Sequence, residues 1–205
     1  MRAWLQGHLR TLGQRLLVVG AALYGLTNLL WSGSGFGAFA PLPYPSPVDL
    51  GFLVSFGLFG AFLLSEILAR PGERSNAIGA TLDAAIVAAA GATIILTVLI
   101  EPVLHATEGV DALAIVTSIA YPVSMVLLLA LIVQLLARSP LTLRDGLILT
   151  WMGGEMAGNM WYSKDSLAGA FVYGQPSFLT WVVSYGALAL FALRWTDAPI
   201  AIRPA

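Results

Sequence analysis

LAIVTSIAYPVSMVLLLALIVQLLA, residues 113–137, runs for 25 positions without one charged side chain. A helix rises about 1.5 Å per residue, so this stretch alone is long enough to cross the roughly 30 Å hydrocarbon core of a bilayer. Five more apolar runs flank it, near residues 16–31, 50–68, 77–100, 146–162 and 178–193. The expected fold is therefore all-α: a polytopic six-transmembrane-helix bundle in which residues 1–205 form a single transmembrane domain. Composition agrees. Hydrophobic residues make up 58% of the chain and charged residues 10%, against about 25% charged in soluble domains. Six spans of about 20 residues each leave only short loops and tails, with no room for a second domain. The net charge of -1 gives no reason to expect nucleic acid as a partner. Cysteine is absent, which excludes disulfides, thiolate metal sites, iron–sulfur ligation and a cysteine nucleophile. The basic start of the chain imitates a signal peptide, but its apolar run is long, lacks a small-x-small cleavage site and is followed by five more.

Charge sorts cleanly across these spans. Arg2, Arg10, Arg15, Arg70, Arg74, Arg138, Arg144, Arg194 and Arg203 fall on one side, and only Lys164 falls on the other. The positive-inside rule makes the arginine side cytoplasmic, so both termini are expected there, in a bacterial cytoplasmic (inner) membrane. Glu101, Glu108, Asp111 and Asp165 lie on the opposite side. Trp31, Tyr44, Trp161, Tyr162 and Tyr173 are expected as anchors at the outer interface, with Trp4 and Trp195 at the inner one. The first outer segment, SGSGFGAFAPLPYPSPV at 32–48, reads as a loop packed on the outer mouth of the bundle.

Ionisable groups inside hydrocarbon cost about 2.5 to 3.5 kcal/mol each on insertion scales, so they normally face the protein interior. Asp83 lies about two turns into the third span, among small neighbours in ATLDAAIVAAAGAT. It reads either as a ligand, proton or signalling site or as an interhelical hydrogen bond near the inner interface. Glu155 is the sharper case. In TWMGGEMAGNMWY it falls about 15 Å into the fifth span, close to the midplane, beside Gly153, Gly154, Gly158 and Asn159. No arginine or lysine occurs at that depth in any span, which favours the neutral acid. Either a hydrogen bond to a neighbouring helix or a cavity-lining role fits it. Tyr121 and Pro122 interrupt the fourth span at similar depth, and a proline there frees a carbonyl and kinks the helix. Asp49 begins the second span, as a helix N-cap would. Glu66 is spaced to pair with Arg70. His8 and His105 read as solitary loop residues outside any metal-ligand pattern.

The even-numbered spans open alike, with YPSPVDLGFLVSFGLFGAFLL from Tyr44, AYPVSMVLLLALIVQLL from Ala120 and GQPSFLTWVVSYGALALFAL from Gly174. Each has a proline and then a long aliphatic run, so the helix pairs read as three hairpin repeats in parallel. Together with LDAAIVAAA from Leu82 and WVVSYGALAL from Trp181, these motifs resemble the multi-helix membrane sensor region at the N-terminus of many bacterial diguanylate cyclases. The resemblance covers nearly the whole chain. In that family the region precedes a cytoplasmic GGDEF domain, often with an EAL domain, and senses an unidentified signal. By position it implies roles for Asp49, Asp83 and the Tyr121–Pro122 step. Two departures stand out: Ser124 or Met125 occupies the place of a frequent aspartate, and the sequence ends eleven residues after Arg194 without an output domain.

The first expectation is a sensory or ligand-binding membrane module without catalysis of its own. Asp83, Tyr121, Pro122, Glu155 and Asn159 are its ligand-binding candidates, and Tyr44, Asp49, Trp181 and Tyr185 its outer mouth. The second is an accessory subunit of a larger complex, docking on a partner membrane protein or on itself, with lipid, quinone or pigment contacts. The third is a small transporter or channel, disfavoured by the few polar residues on the spans. No serine–histidine, paired-aspartate or HExxH arrangement falls at membrane depth, so no enzyme is expected. The sequence does not identify a cofactor.

Overall fold

Long apolar runs become helices because a helix satisfies every backbone N–H and C=O within the segment itself. The computed structural model describes residues 2–69, 77–106, 109, 111–136 and 143–193, and among these it is helical almost throughout, without a strand. The elements are α1 (Arg2–Gly35), α2 (Pro47–Leu68), α3 (Ala77–Ile95), α4 (Glu101–Ala106), α5 (Ala112–Leu136), α6 (Leu143–Leu167) and α7 (Phe178–Leu193). A π-helical turn, Leu96–Ile100, joins α3 to α4, so the two make one rod. Three stretches are long and apolar enough to cross a membrane: Thr11–Gly35, Pro47–Leu68 and Ala112–Leu136. Shorter apolar helices run over Ala85–Val98 and Phe178–Phe191. α6 carries Arg144, Asp145, Glu155, Lys164 and Asp165, and is the most polar of the rods.

Two expected boundaries move. The segment SGSG at 32–35 belongs to α1 rather than to the loop, because Ser34 holds the returning chain: its hydroxyl donates to the Ala40 carbonyl at 3.2 Å and accepts from the Leu42 N–H at 3.0 Å. The third rod continues past Ile100 into EPVLHA, so His105 lies in a helix and not in a loop. There its ring stands 3.6 Å from the Glu101 carboxylate, both side chains exposed. Arg70, Arg74, Glu108, Arg138, Arg194, Trp195 and Arg203 lie outside the described residues, as do the side chains of Arg2, Trp4, His8, Arg10 and Arg144.

Packing runs α1 on α2, α2 on α5, α5 on α6 and α6 on α7. α7 then closes on α1 through side chains rather than through backbone approach. The Tyr185 hydroxyl donates to Asn28 Oδ1 at 2.8 Å, and Trp31 stacks on Phe178 with ring centres 5.6 Å apart. Five helices therefore form a ring, and α3 lies outside it against α5. The ring is filled at one level by Phe56, Phe59, Met125, Leu128, Ile132 and Met152.

Lipid tails are as apolar as leucine, so helices in a membrane associate by close packing at small residues. Gly51 receives Thr27 of α1, Gly20 receives Phe59 of α2, and Gly91 of α3 receives Val126 of α5. The tightest seam joins α6 to α7. A Cβ on Gly154 would stand 2.8 Å from the Thr180 carbonyl oxygen and 2.9 Å from Ser184 Cβ, whereas one on Gly153 would meet nothing within 4 Å. Overpacking of this kind costs about 1–3 kcal/mol. Gly154→Leu is therefore expected to lower the unfolding temperature of the purified protein clearly, and Gly153→Ala to leave it unchanged; equal effects would contradict the seam.

Candidate functional site

Glu155 is 1% exposed, on the face of α6 that looks into the ring. One turn on, Asn159 donates from Nδ2 to the Glu155 carbonyl at 2.8 Å and reaches Oε2 at 3.3 Å. Ser184 of α7 lies 2.7 Å from Glu155 Oε1 and 2.9 Å from the Trp151 carbonyl oxygen. A serine hydroxyl has a single hydrogen to donate, and the Trp151 carbonyl can only accept. The chain of contacts is complete when Glu155 is the neutral acid, donating to Ser184, which donates in turn to Trp151.

From α1, Tyr24, Asn28 and Trp31 face the same space, and α2 adds Phe52 and Phe56. Tyr121 of α5, Tyr162 of α6, and Trp181 and Tyr185 of α7 complete the wall. The space between them is about 20 Å³, enough for one water-sized group. The Tyr24 hydroxyl stands beside the Glu155 carboxyl and the Tyr185 hydroxyl, close enough to interact with both though outside strict hydrogen-bond geometry to either. It is buried and lines the cavity.

The second carboxylate, Asp49, lies nearer the end of the ring that carries the α1–α2 and α6–α7 connections. It is the third residue of α2 rather than its cap; Ser46 takes the cap position. Asp49 Oδ2 accepts from the Ser46 N–H at 2.6 Å and its hydroxyl at 2.9 Å. Oδ1 accepts from the Tyr121 hydroxyl at 2.8 Å, with the Tyr162 hydroxyl at 3.5 Å. All these donors are neutral. Tyr44, from the loop before α2, bonds the Ser118 hydroxyl of α5. Burial pushes Tyr44 up to about 12, the Ser118 bond partly opposing it and the Asp49 charge adding to it, so its phenol stays neutral throughout the physiological range.

Beyond Tyr162 the chain opens into a vestibule of about 250 Å³, lined by Trp31, Tyr44, Ser46, Tyr162, Ser166, Phe171 and Tyr173 among others. Trp31 and Tyr162 belong to both spaces and form the partition between them. Glu155, Asn159, Tyr121, Trp181 and Tyr185 line the inner cavity; Tyr44 lies in the vestibule and Asp49 behind its wall. Pro122 is buried on α5, which runs through it unbroken. Asp83 is not part of this assembly: its side chain is exposed on α3, outside the ring. Trp31 and Tyr162 pack on each other as wall residues, and Trp161 is exposed.

Tyr24, Asn28 and Ser184 do not stand out in the sequence. A signal exists for the first two, since Tyr24, Asn28 and Trp31 recur at helical spacing on one face of an otherwise apolar run. Among the described residues no group of three or more His, Asp or Glu is placed to hold a metal ion. No family model matches the chain, and neither curated proteins nor solved structures provide a match.

Removing the Glu155 carboxyl is expected to cost about 1–3 kcal/mol, because Ser184 and Asn159 lose their partner. Glu155→Ala should therefore unfold at clearly lower temperature, while Glu155→Gln, which can still donate to Ser184, should remain near the unmodified protein. Infrared difference spectra should show a protonated-carboxyl carbonyl band that disappears in Glu155→Gln. A band unaffected by that substitution would refute the neutral acid.

Proposed function

We propose that this chain is an integral membrane ligand-binding module of sensory type, crossing a bacterial cytoplasmic membrane six times with both termini inside. The observation that carries this reading is the inward-facing polar set of Glu155, Asn159, Tyr24 and Tyr185 around a small cavity that shares Trp31 and Tyr162 with a larger vestibule. Charge sorting supports the orientation: with the arginine-rich connections inside, the vestibule faces outward and a ligand enters from outside the cell. That the polar rod α6 is a further span is supported by its carboxyl and amide groups, which turn inward to Ser184 and to one another. The motif resemblance to diguanylate cyclase sensor regions supports a signalling role. Ligand occupancy would act by shifting Trp31 and Tyr162, and with them α1 and α6.

A second reading, lateral association with another membrane chain, is favoured by one observation. Asp83 is exposed on α3, the rod outside the ring, beside exposed Leu82, Ile86 and Val87. A charge facing lipid at that depth is costly, and a partner helix would relieve it.

The absence of cysteine makes a direct test available. In intact cells a membrane-impermeant maleimide should label Ala38→Cys, Ala168→Cys and the vestibule variant Ser166→Cys. It should leave Ser139→Cys unlabelled until the membrane is permeabilised. Labelling of Ser166→Cys only after permeabilisation would overturn the outward-facing site.

A further inference from the structure

The two buried carboxyl groups of the ring are joined by a line of polar side chains that begins at the vestibule. Ser46, on the vestibule wall, donates its hydroxyl to Asp49 Oδ2 at 2.9 Å. The other oxygen of Asp49 accepts from the Tyr121 hydroxyl at 2.8 Å, and Tyr121 lines the same inner cavity as Glu155. That cavity, of about 20 Å³, has room for one water molecule to span the remaining gap. Beyond Glu155 the line stops. Phe59, Met125, Leu128, Ile132 and Met152, further along α2 and α5 from Asp49 and Tyr121, fill the ring with apolar side chains.

Glu155 finds partners in both of its protonation states, but the partners differ. As the neutral acid it donates to Ser184 at 2.7 Å, and Ser184 donates to the Trp151 carbonyl at 2.9 Å, which ties α7 to the backbone of α6. As the anion it can only accept. Ser184 then turns its single hydrogen from Trp151 to Oε1, Asn159 stays 3.3 Å from Oε2, and the Tyr24 hydroxyl of α1, beside the carboxyl, becomes the third donor. The ionisable side chains that face Glu155 across the cavity are all phenols: Tyr24 of α1, Tyr121 of α5, Tyr162 of its own helix and Tyr185 of α7, while α2 presents Phe52 and Phe56. No basic side chain is among the described residues that line the cavity, and Asp49 stands on the far side of Tyr121.

We propose that the ligand of this module is the proton, which Glu155 takes up from the vestibule side, exchanging a tie between α6 and α1 for one between α6 and α7. Carboxyl groups set in series inside a membrane are the usual parts of a proton relay. In one transfer, vestibule water gives a proton to Asp49 through the Ser46 hydroxyl. Asp49 passes one to Tyr121 as Tyr121 releases its own hydrogen to a water in the inner cavity, and that water gives one to the Glu155 carboxylate. One carboxylate is neutralised, and every hydroxyl ends with the number of hydrogens with which it began. The apolar filling beyond Glu155 makes this a binding site and not a passage. This inference rests on the outward-facing site proposed above and names its ligand.

The test follows the protonated-carboxyl band of Glu155, assigned by its loss in Glu155→Gln, in the purified full chain. The band should fade reversibly as pH is raised across the range in which the protein stays folded. Tyr24→Phe removes a donor that only the anion uses, so the midpoint should rise by about one to two pH units. Asn159→Ala should move it the same way and serves if Tyr24→Phe does not fold. Tyr121→Phe should leave the midpoint in place but slow the exchange of the carboxyl hydrogen for deuterium by about a hundred-fold, a split that lost packing alone would not produce. A band that persists unchanged at every pH, a midpoint unmoved in Tyr24→Phe and Asn159→Ala, or exchange unaffected by Tyr121→Phe overturns the proposal. Labelling of Ser166→Cys from outside, found together with a band insensitive to pH, would strike the proton and leave the outward-facing site standing.

Discussion

A carboxyl group buried among apolar helices, with only neutral groups around it, is the constraint on which the ring depends. Glu155 is withdrawn from bulk water and, among the described residues, has only neutral hydrogen-bond partners, so its fixed hydrogen bonds come from the helices themselves. Ser184 supplies one from α7 and Asn159 another from its own helix. Meeting that demand fixes the rotation of α6, and the glycines at 154 and 158 let α7 approach closely enough to answer it. Once α6 and α7 are set, Trp181 and Tyr185 turn toward α1, where Asn28 and Trp31 receive them. The ring is thereby closed on its weakest side by polar and aromatic contacts.

Asp49 organises the layer further out in the same way. As the acidic residue in the first turn of α2 it completes the N-terminal hydrogen bonding of that helix with Ser46, where a negative charge is also favoured by the helix dipole. It also takes the Tyr121 hydroxyl of α5 and brings Tyr162 of α6 close. The two acidic residues thus hold two storeys that share Trp31 and Tyr162 as a floor.

Much of the architecture was legible in the sequence because apolar run length in a membrane protein reports directly on helices. Glu155, Asn159 and Tyr121 were legible as inward-facing polar groups for the same reason: a polar group is costly in an apolar run and is normally turned to the protein interior. Helix rotation was not legible. On α3 apolar residues occur all round, since both lipid and protein accept them, and nothing in ATLDAAIVAAAGAT distinguishes an inward Asp83 from an outward one. The SGSG end of α1 failed for another reason: its helical continuation depends on Ser34 bonding a chain segment that returns six and eight residues later. The partners of Asp49 lie 72 and 113 residues away, a separation that no local motif records.

Closure of α1 on α7 is the claim from which the cavity, the partition and the vestibule all follow. It is tested most directly by a short bifunctional thiol cross-linker on the double variant Asn28→Cys/Tyr185→Cys in native membranes, with Asn28→Cys/Val133→Cys as the comparison, Val133 being exposed on α5. The ring predicts efficient cross-linking of the first pair and none of the second. Failure of the first pair to cross-link, or equal yields for both, would contradict it.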